Sequence, residues 1–83
     1  MNTFQDFVRR ELEGARSKHQ PINSVHEGYA VILEELEEFW EEVRKKRQER
    51  NVDRMFDELV QIAAMAQRTA EDVLMTGKGK DAL

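Results

Sequence analysis

Apolar residues recur along this chain at three- and four-residue intervals, the period of an amphipathic helix. Phe4, Phe7, Val8, Leu12 and Ala15 set out a first helix over about 3–17, with Asn2 or Thr3 available to cap it. The segment Lys18-His19-Gln20-Pro21-Ile22-Asn23 breaks the pattern, because proline disfavours helix at the residue before it. Ser24-Val25-His26-Glu27 then reads as a capping box, with Ile22 placed to act as a hydrophobic staple. From there Val25, Tyr29, Ile32, Leu33, Leu36, Phe39, Trp40 and Val43 form one continuous stripe. No helix breaker precedes Asn51, so the second helix is expected over about 24–49. Asn51-Val52-Asp53 supplies a turn and the next cap. Met55, Phe56, Leu59, Ile62, Ala63, Ala66, Ala70, Val73 and Leu74 predict a third helix over about 53–75. Gly77 fits the position just past its end, and 77–83 reads as a flexible tail.

Two long helices joined by a short turn should pack antiparallel. The small residues Ala63, Ala64, Ala66 and Ala70 on one face the bulky Phe39 and Trp40 on the other, an arrangement of packing. Tyr29 and Trp40 lie at the centre of the stripe and are expected in the core, not stacked on a base. With 83 residues the chain suffices for one domain, taken as 1–76, and its single core is thin. The expectation is an all-α fold: a long antiparallel helical hairpin plus an N-terminal helix. Its leftover apolar faces are more than monomers usually expose, so a four-helix-type bundle completed as a homodimer or homotetramer is expected.

Composition narrows the partners. Charged residues make up 36% and hydrophobic ones 40%, the mix of helices with one apolar face, and the net charge is −4. The one basic cluster, Arg44, Lys45, Lys46, Arg47 and Arg50, reads as the last turns of a helix, where its dipole favours cations. No basic stripe marks a nucleic-acid surface, and no nucleic-acid partner is expected. The absence of cysteine excludes disulfides and thiolate metal sites. No apolar run approaches a membrane span and no secretory h-region is present, so a cytoplasmic protein with no membrane partner is expected. His26-Glu27 begins like a zinc-protease motif, but Ala30 stands where the second His is required.

The second helix carries Glu34, Glu35, Glu37, Glu38, Glu41 and Glu42. At about 100° per residue these point in different directions. With Leu36 as the centre of the stripe, Glu35 and Glu42 fall just beyond one edge and Glu38 a little farther round. Glu34, Glu37 and Glu41 fall on the opposite side or the back. On the third helix, with Leu59 as centre, Glu58 takes the same relative edge and Gln61 lies farther round. Antiparallel packing can converge these acids on one pocket. Like charges brought together raise one another's pKa, and a hard divalent cation relieves the repulsion. A solvated charged face is the ordinary alternative.

Glu34-Glu35-Leu36-Glu37-Glu38 followed by Asp57-Glu58-Leu59-Val60-Gln61 resembles the two-part signature of the MazG-like all-α nucleoside triphosphate pyrophosphohydrolases. In that family Glu-x-x-Glu on one helix and Glu-x-x-Asp on the next hold Mg²⁺. The stretch from Ser24 to Arg68 is also similar to small phage-type relatives, a little over half the chain. The resemblance implies Mg²⁺ or Mn²⁺ on Glu35, Glu38 and Glu58, with Glu38 acting on the attacking water. It implies a nucleoside triphosphate cleaved to monophosphate and pyrophosphate. Gln61 departs from the pattern, which has Asp there. Its carbonyl can still reach a metal or its amide a phosphate, but without charge. Asp72, on the same side of the helix as Gln61, is a candidate to compensate, whereas Asp57 is expected on the other flank. Lys18, Arg54 and Arg68 are candidate phosphate contacts, with surface charge as the plainer reading of each. The alternatives to an enzyme are a non-catalytic oligomerisation or regulatory module, kept open by Gln61, and a helical antitoxin-like or phage accessory protein binding a partner through its apolar face.

Overall fold

The computed structural model describes residues 2–76, and among these the chain is all-helical, built from three helices without a strand. Helix α1 spans Phe4–Lys18, α2 spans Val25–Val43 and α3 spans Val52–Thr69, the last running on into a π-helical turn, Ala70–Leu74. Gly77 and the tail over 77–83 lie outside the described residues.

Local chemistry accounts for the helix starts. Thr3 and Asp6 form the reciprocal box at α1: Thr3 Oγ1 accepts from the Asp6 amide at 3.1 Å, and Asp6 accepts from the Thr3 amide at 2.9 Å. At α2 only half of the expected box forms, with Ser24 Oγ accepting from the Glu27 amide at 3.1 Å. Asn51 caps α3 by accepting from the Arg54 amide, also at 3.1 Å.

Helix α2 ends six residues earlier than expected. No glycine or proline stops it; side chains do. Arg50 folds back and donates to the Val43 carbonyl from Nε (3.0 Å) and Nη2 (2.6 Å), satisfying a carbonyl that the helix no longer bonds. Residues 44–50 then form a turn with a short 3₁₀ segment, Arg47–Glu49. The basic cluster therefore lies in the connection and not in the last helical turns.

Both α1 and α2 pack on α3. Gly28 meets Thr69, Glu35 meets Glu58 and Glu42 meets Asn51, an order that makes α2 and α3 antiparallel. A methyl built on Gly28 would lie 3.1 Å from Thr69 Cβ and closer still to its Cγ2, so this approach requires glycine. Helix α1 runs alongside α3 in the same direction. Phe56 receives the rings of Phe4 and Phe7 edge-on, with centroids 5.8 and 5.2 Å away. At the other end Arg16 donates to Asp72 and Glu71, each at 2.7 Å. Val8, Ala15, Val60, Ala64 and Met65 form the core between them, with Phe7, Val31, Ile32 and Ala63 against it.

The stripe on α2 is covered along one side only. Tyr29 is 66% exposed and Trp40 57%, and Leu36 is also exposed, contrary to the expectation that Tyr29 and Trp40 are core. The reason is that α2 has α3 as its one close neighbour. It turns Gly28, Val31 and Ile32 inward and leaves the other half of its apolar arc uncovered. Of the alanines expected at the helix contact, Ala64 is fully buried and Ala66 exposed.

Candidate metal centre and the groove beside it

Along α2 the glutamates divide by burial. Glu34, Glu37 and Glu41 are exposed, Glu35 and Glu38 half-buried and Glu42 wholly buried. Antiparallel packing brings Glu58, half-buried on the second turn of α3, against the first pair. One carboxylate oxygen from each of Glu35, Glu38 and Glu58 lies within 4.8 Å of the other two. Glu58 Oε2 is buried without a hydrogen-bond partner. Desolvation, followed by the hydrogen bond to Glu58 and the charge of Glu38, pushes Glu35 up to about 8. Desolvation, together with Glu38, likewise raises Glu58, against the lowering influence of the hydrogen bond with Glu35 and of the Arg54 charge.

Such a cluster holds a proton near neutral pH because its oxygens are partly desolvated and face one another. Three oxygen donors converging within a few ångströms could hold a metal ion.

Glu42 is a different matter, although it shares the row. Both its oxygens accept from Lys45 Nζ at 3.1 Å, and Oε1 accepts from the Asn51 amide at 2.8 Å. Arg54 Nε lies 3.8 Å from Oε2. The Asn51 amide and then Lys45 hold its carboxyl below the usual range. It ties the end of α2 to the start of α3.

Beside the carboxylates a groove of about 990 Å³ opens between α1 and α2, with α3 as its floor. Glu35, Asp57 and Gln61 line it, as do Lys18, His19 and Arg68. Asp57, expected on the far flank, lies one turn before Gln61 and lines the groove with it without joining the cluster, whereas Asp72, the favoured extra ligand, lies too far along the helix to reach it. Asp72 is buried some 20 Å along the helix from Glu58, by the helical rise. Its Oδ1 accepts from Arg16 and its Oδ2 from the Ile22 amide at 2.9 Å. Burial pushes its pKa up, but these two donors outweigh it and leave it below the ordinary value. Arg54 stands between Glu42 and Glu58, and Lys18 is exposed at the groove rim. Arg68 is no surface charge: it is 5% exposed, with Nη2 donating to the Gln20 carbonyl at 3.0 Å.

The burial of Arg68 and Asp72 was open to sequence reasoning. Both continue the line of Met65 along α3 at i+3 and i+7, which puts charges at core positions. The structural part played by Glu42 had no comparable signal, since its partners come from the turn.

Among the described residues no helix is long and apolar enough to cross a membrane. The chain matches no known family model, no curated protein and no solved structure.

Proposed function

We propose that this protein is a metal-dependent nucleoside triphosphate pyrophosphohydrolase, cleaving between the α and β phosphates to release a monophosphate and pyrophosphate. The observation that carries the reading is the convergence of Glu35, Glu38 and Glu58, an oxygen from each within 4.8 Å of the others, at the edge of a groove large enough for a nucleotide. It is the Glu-x-x-Glu and Glu-containing pair whose sequence resembles the MazG-like enzymes. Glu35, Glu38 and Glu58 would hold Mg²⁺ or Mn²⁺, which when bound supplies charge neutralisation at the phosphates and a more acidic water. Glu38 is the general base in this reading, and Gln61, lining the groove with Glu35, offers an amide to a phosphate oxygen. A chain thus built works as a homodimer or homotetramer. Supporting this, Tyr29, Leu36 and Trp40 leave an apolar stripe open on α2. The radius of gyration, 14.2 Å, also exceeds the roughly 11–12 Å of a compact domain this long.

The test is pyrophosphate release from a panel of canonical and modified nucleoside triphosphates with Mg²⁺ or Mn²⁺, parent chain against Glu38→Gln. Turnover in the parent that disappears in the variant supports the reading. Gln61 favours the second reading, a non-catalytic helical oligomerisation or regulatory module, because it removes a charge from the site. Gln61→Asp separates the two: turnover gained by a variant whose parent has none assigns the parent to the second.

A further inference from the structure

We infer that the end of the groove remote from the carboxylates is a binding site for a phosphate-type oxyanion, built around Arg68. This inference does not depend on a metal at Glu35, Glu38 and Glu58.

Arg68 is 95% buried, yet no carboxylate stands within ion-pairing distance of its guanidinium among the described residues. Nη2 is used by the Gln20 carbonyl, and Nη1 makes only a 3.6 Å contact with the Met65 sulfur. Nε has no partner at all. Asp72 feels its charge, but the oxygens of Asp72 are occupied by Arg16 and the Ile22 amide. A buried cation without a bonded counter-charge is costly, and an anion entering from the groove relieves that cost.

The surroundings fit such a guest. Lys18 and His19 line the same groove, and their neighbour Gln20 is held on Arg68, so both belong to this end. Arg68 and Asp57, which both line the groove floor, are eleven residues apart on α3, or about 16 Å. The carboxylate cluster lies at the Asp57 end, where Arg10 also stands over Phe7, and Glu11 and Glu34 line the groove as well; Lys18, His19 and Arg68 give the far end its cations. Glu27 also lines the groove near Arg68, because Gly28 packs on Thr69. It is exposed and forms no ion pair among the described residues, so it opposes an anion from the rim. A guanidinium in the groove wall with neighbouring lysine and histidine donors is a combination that recognises phosphoryl oxygens.

The probe is inorganic phosphate, titrated into the full chain at constant ionic strength without divalent metal. The readouts are the Arg68 Nε–H resonance and the Gln20 amide in ¹⁵N-correlated NMR spectra. Saturable shifts of both are expected. Lys18→Gln, at an exposed position, should weaken binding roughly threefold, and Glu27→Gln should tighten it by a similar factor. Arg68→Gln should abolish it, with a circular dichroism melt to show that the variant is folded. If the Arg68 Nε–H signal is unmoved, or if the shifts are non-saturating and identical in Lys18→Gln and Glu27→Gln, Arg68 is a structural strut and the inference fails. Neither result bears on pyrophosphate release, which is measured with metal and Glu38→Gln.

Discussion

Glu42 and Glu35 stand seven residues apart on one edge of α2, about 10 Å by the helical rise, and their electrostatic circumstances are opposite. Glu42 is the more buried, yet its carboxylate is ionised readily because an amide, a lysine and an arginine surround it. Glu35 is only half-buried, yet its neighbours are two further carboxylates and it retains its proton to about pH 8. Burial pushes both carboxyls up; donors and cations outweigh it at Glu42, whereas two further carboxylates add to it at Glu35. A carboxylate among donors strengthens the fold. A carboxylate among carboxylates weakens it.

The largest effects should come from substituting one residue in each group and finding that their consequences cross. Glu38→Gln should cut pyrophosphate release by at least about a hundredfold while leaving the melting temperature unchanged or higher, because one like charge leaves the cluster. Glu42→Ala should do the reverse in kind: it strands the Asn51 amide and Lys45, and should lower the melting temperature by on the order of 10 °C. Circular dichroism melts of both, beside the activity assay, make the comparison. Equal loss of stability in the two variants would mean that the clusters are one structural network.

Next in size is the response to cation. Millimolar Mg²⁺ or Mn²⁺ should raise the melting temperature of the parent by several degrees, since saturation a hundredfold above the dissociation constant is worth about 2.7 kcal/mol. Glu58→Gln should remove that rise. A thermal shift that survives in Glu58→Gln would place the cation elsewhere.

The architecture was legible in the sequence because helical period, caps and the Asn51 turn are local properties. The partition of the α2 glutamates by burial followed from angle alone. What was not legible depended on neighbours. The early end of α2 is imposed by Arg50 and by Glu42, whose partners are assembled only once the turn has formed. Tyr29 and Trp40 satisfy the core period but lie on the side of α2 that α3 does not reach. Asp72 shares Gln61's side of α3 but lies too far along it to reach the cluster, and its partners, Arg16 and the Ile22 amide, come from outside the helix. The convergence of Glu35, Glu38 and Glu58 was foreseeable from paired edges, and with it the candidacy for a hard cation; the nucleotide substrate came only from the resemblance.

A smaller effect should appear in the pH dependence of the metal-free protein. Glu35 binds its proton more tightly folded than unfolded, so its contribution to stability is fully present below about pH 4.5 and is lost as pH rises through about 8. Glu58 shifts in the same direction, and Arg54 is the cation that opposes it. Melting temperatures taken from pH 5 to pH 8.5 should therefore fall, and Glu35→Gln should flatten the profile. Subtracting the variant from the parent removes contributions from groups common to both. A difference that rises with pH would contradict the sign of the Glu35 shift.

The smallest effect concerns the residue that belongs to both regions. Arg54 lies 3.8 Å from Glu42 and its charge also reaches Glu58, so Arg54→Met tests how far the two groups are coupled. On the Glu42 side little should change. Lys45 and the Asn51 amide remain, and a half-exposed arginine pair contributes under about 1 kcal/mol. On the Glu58 side the loss of a nearby positive charge removes a repulsion toward any bound cation. Measured at pH 8.5, where Glu35 has mostly released its proton, Mn²⁺ affinity should rise a few-fold, the size of one screened charge at a partly exposed distance. If stability falls and Mn²⁺ affinity does not move, Arg54 serves Glu42 alone. The contrast between the two clusters would then be a contrast between independent sites that share only a helix.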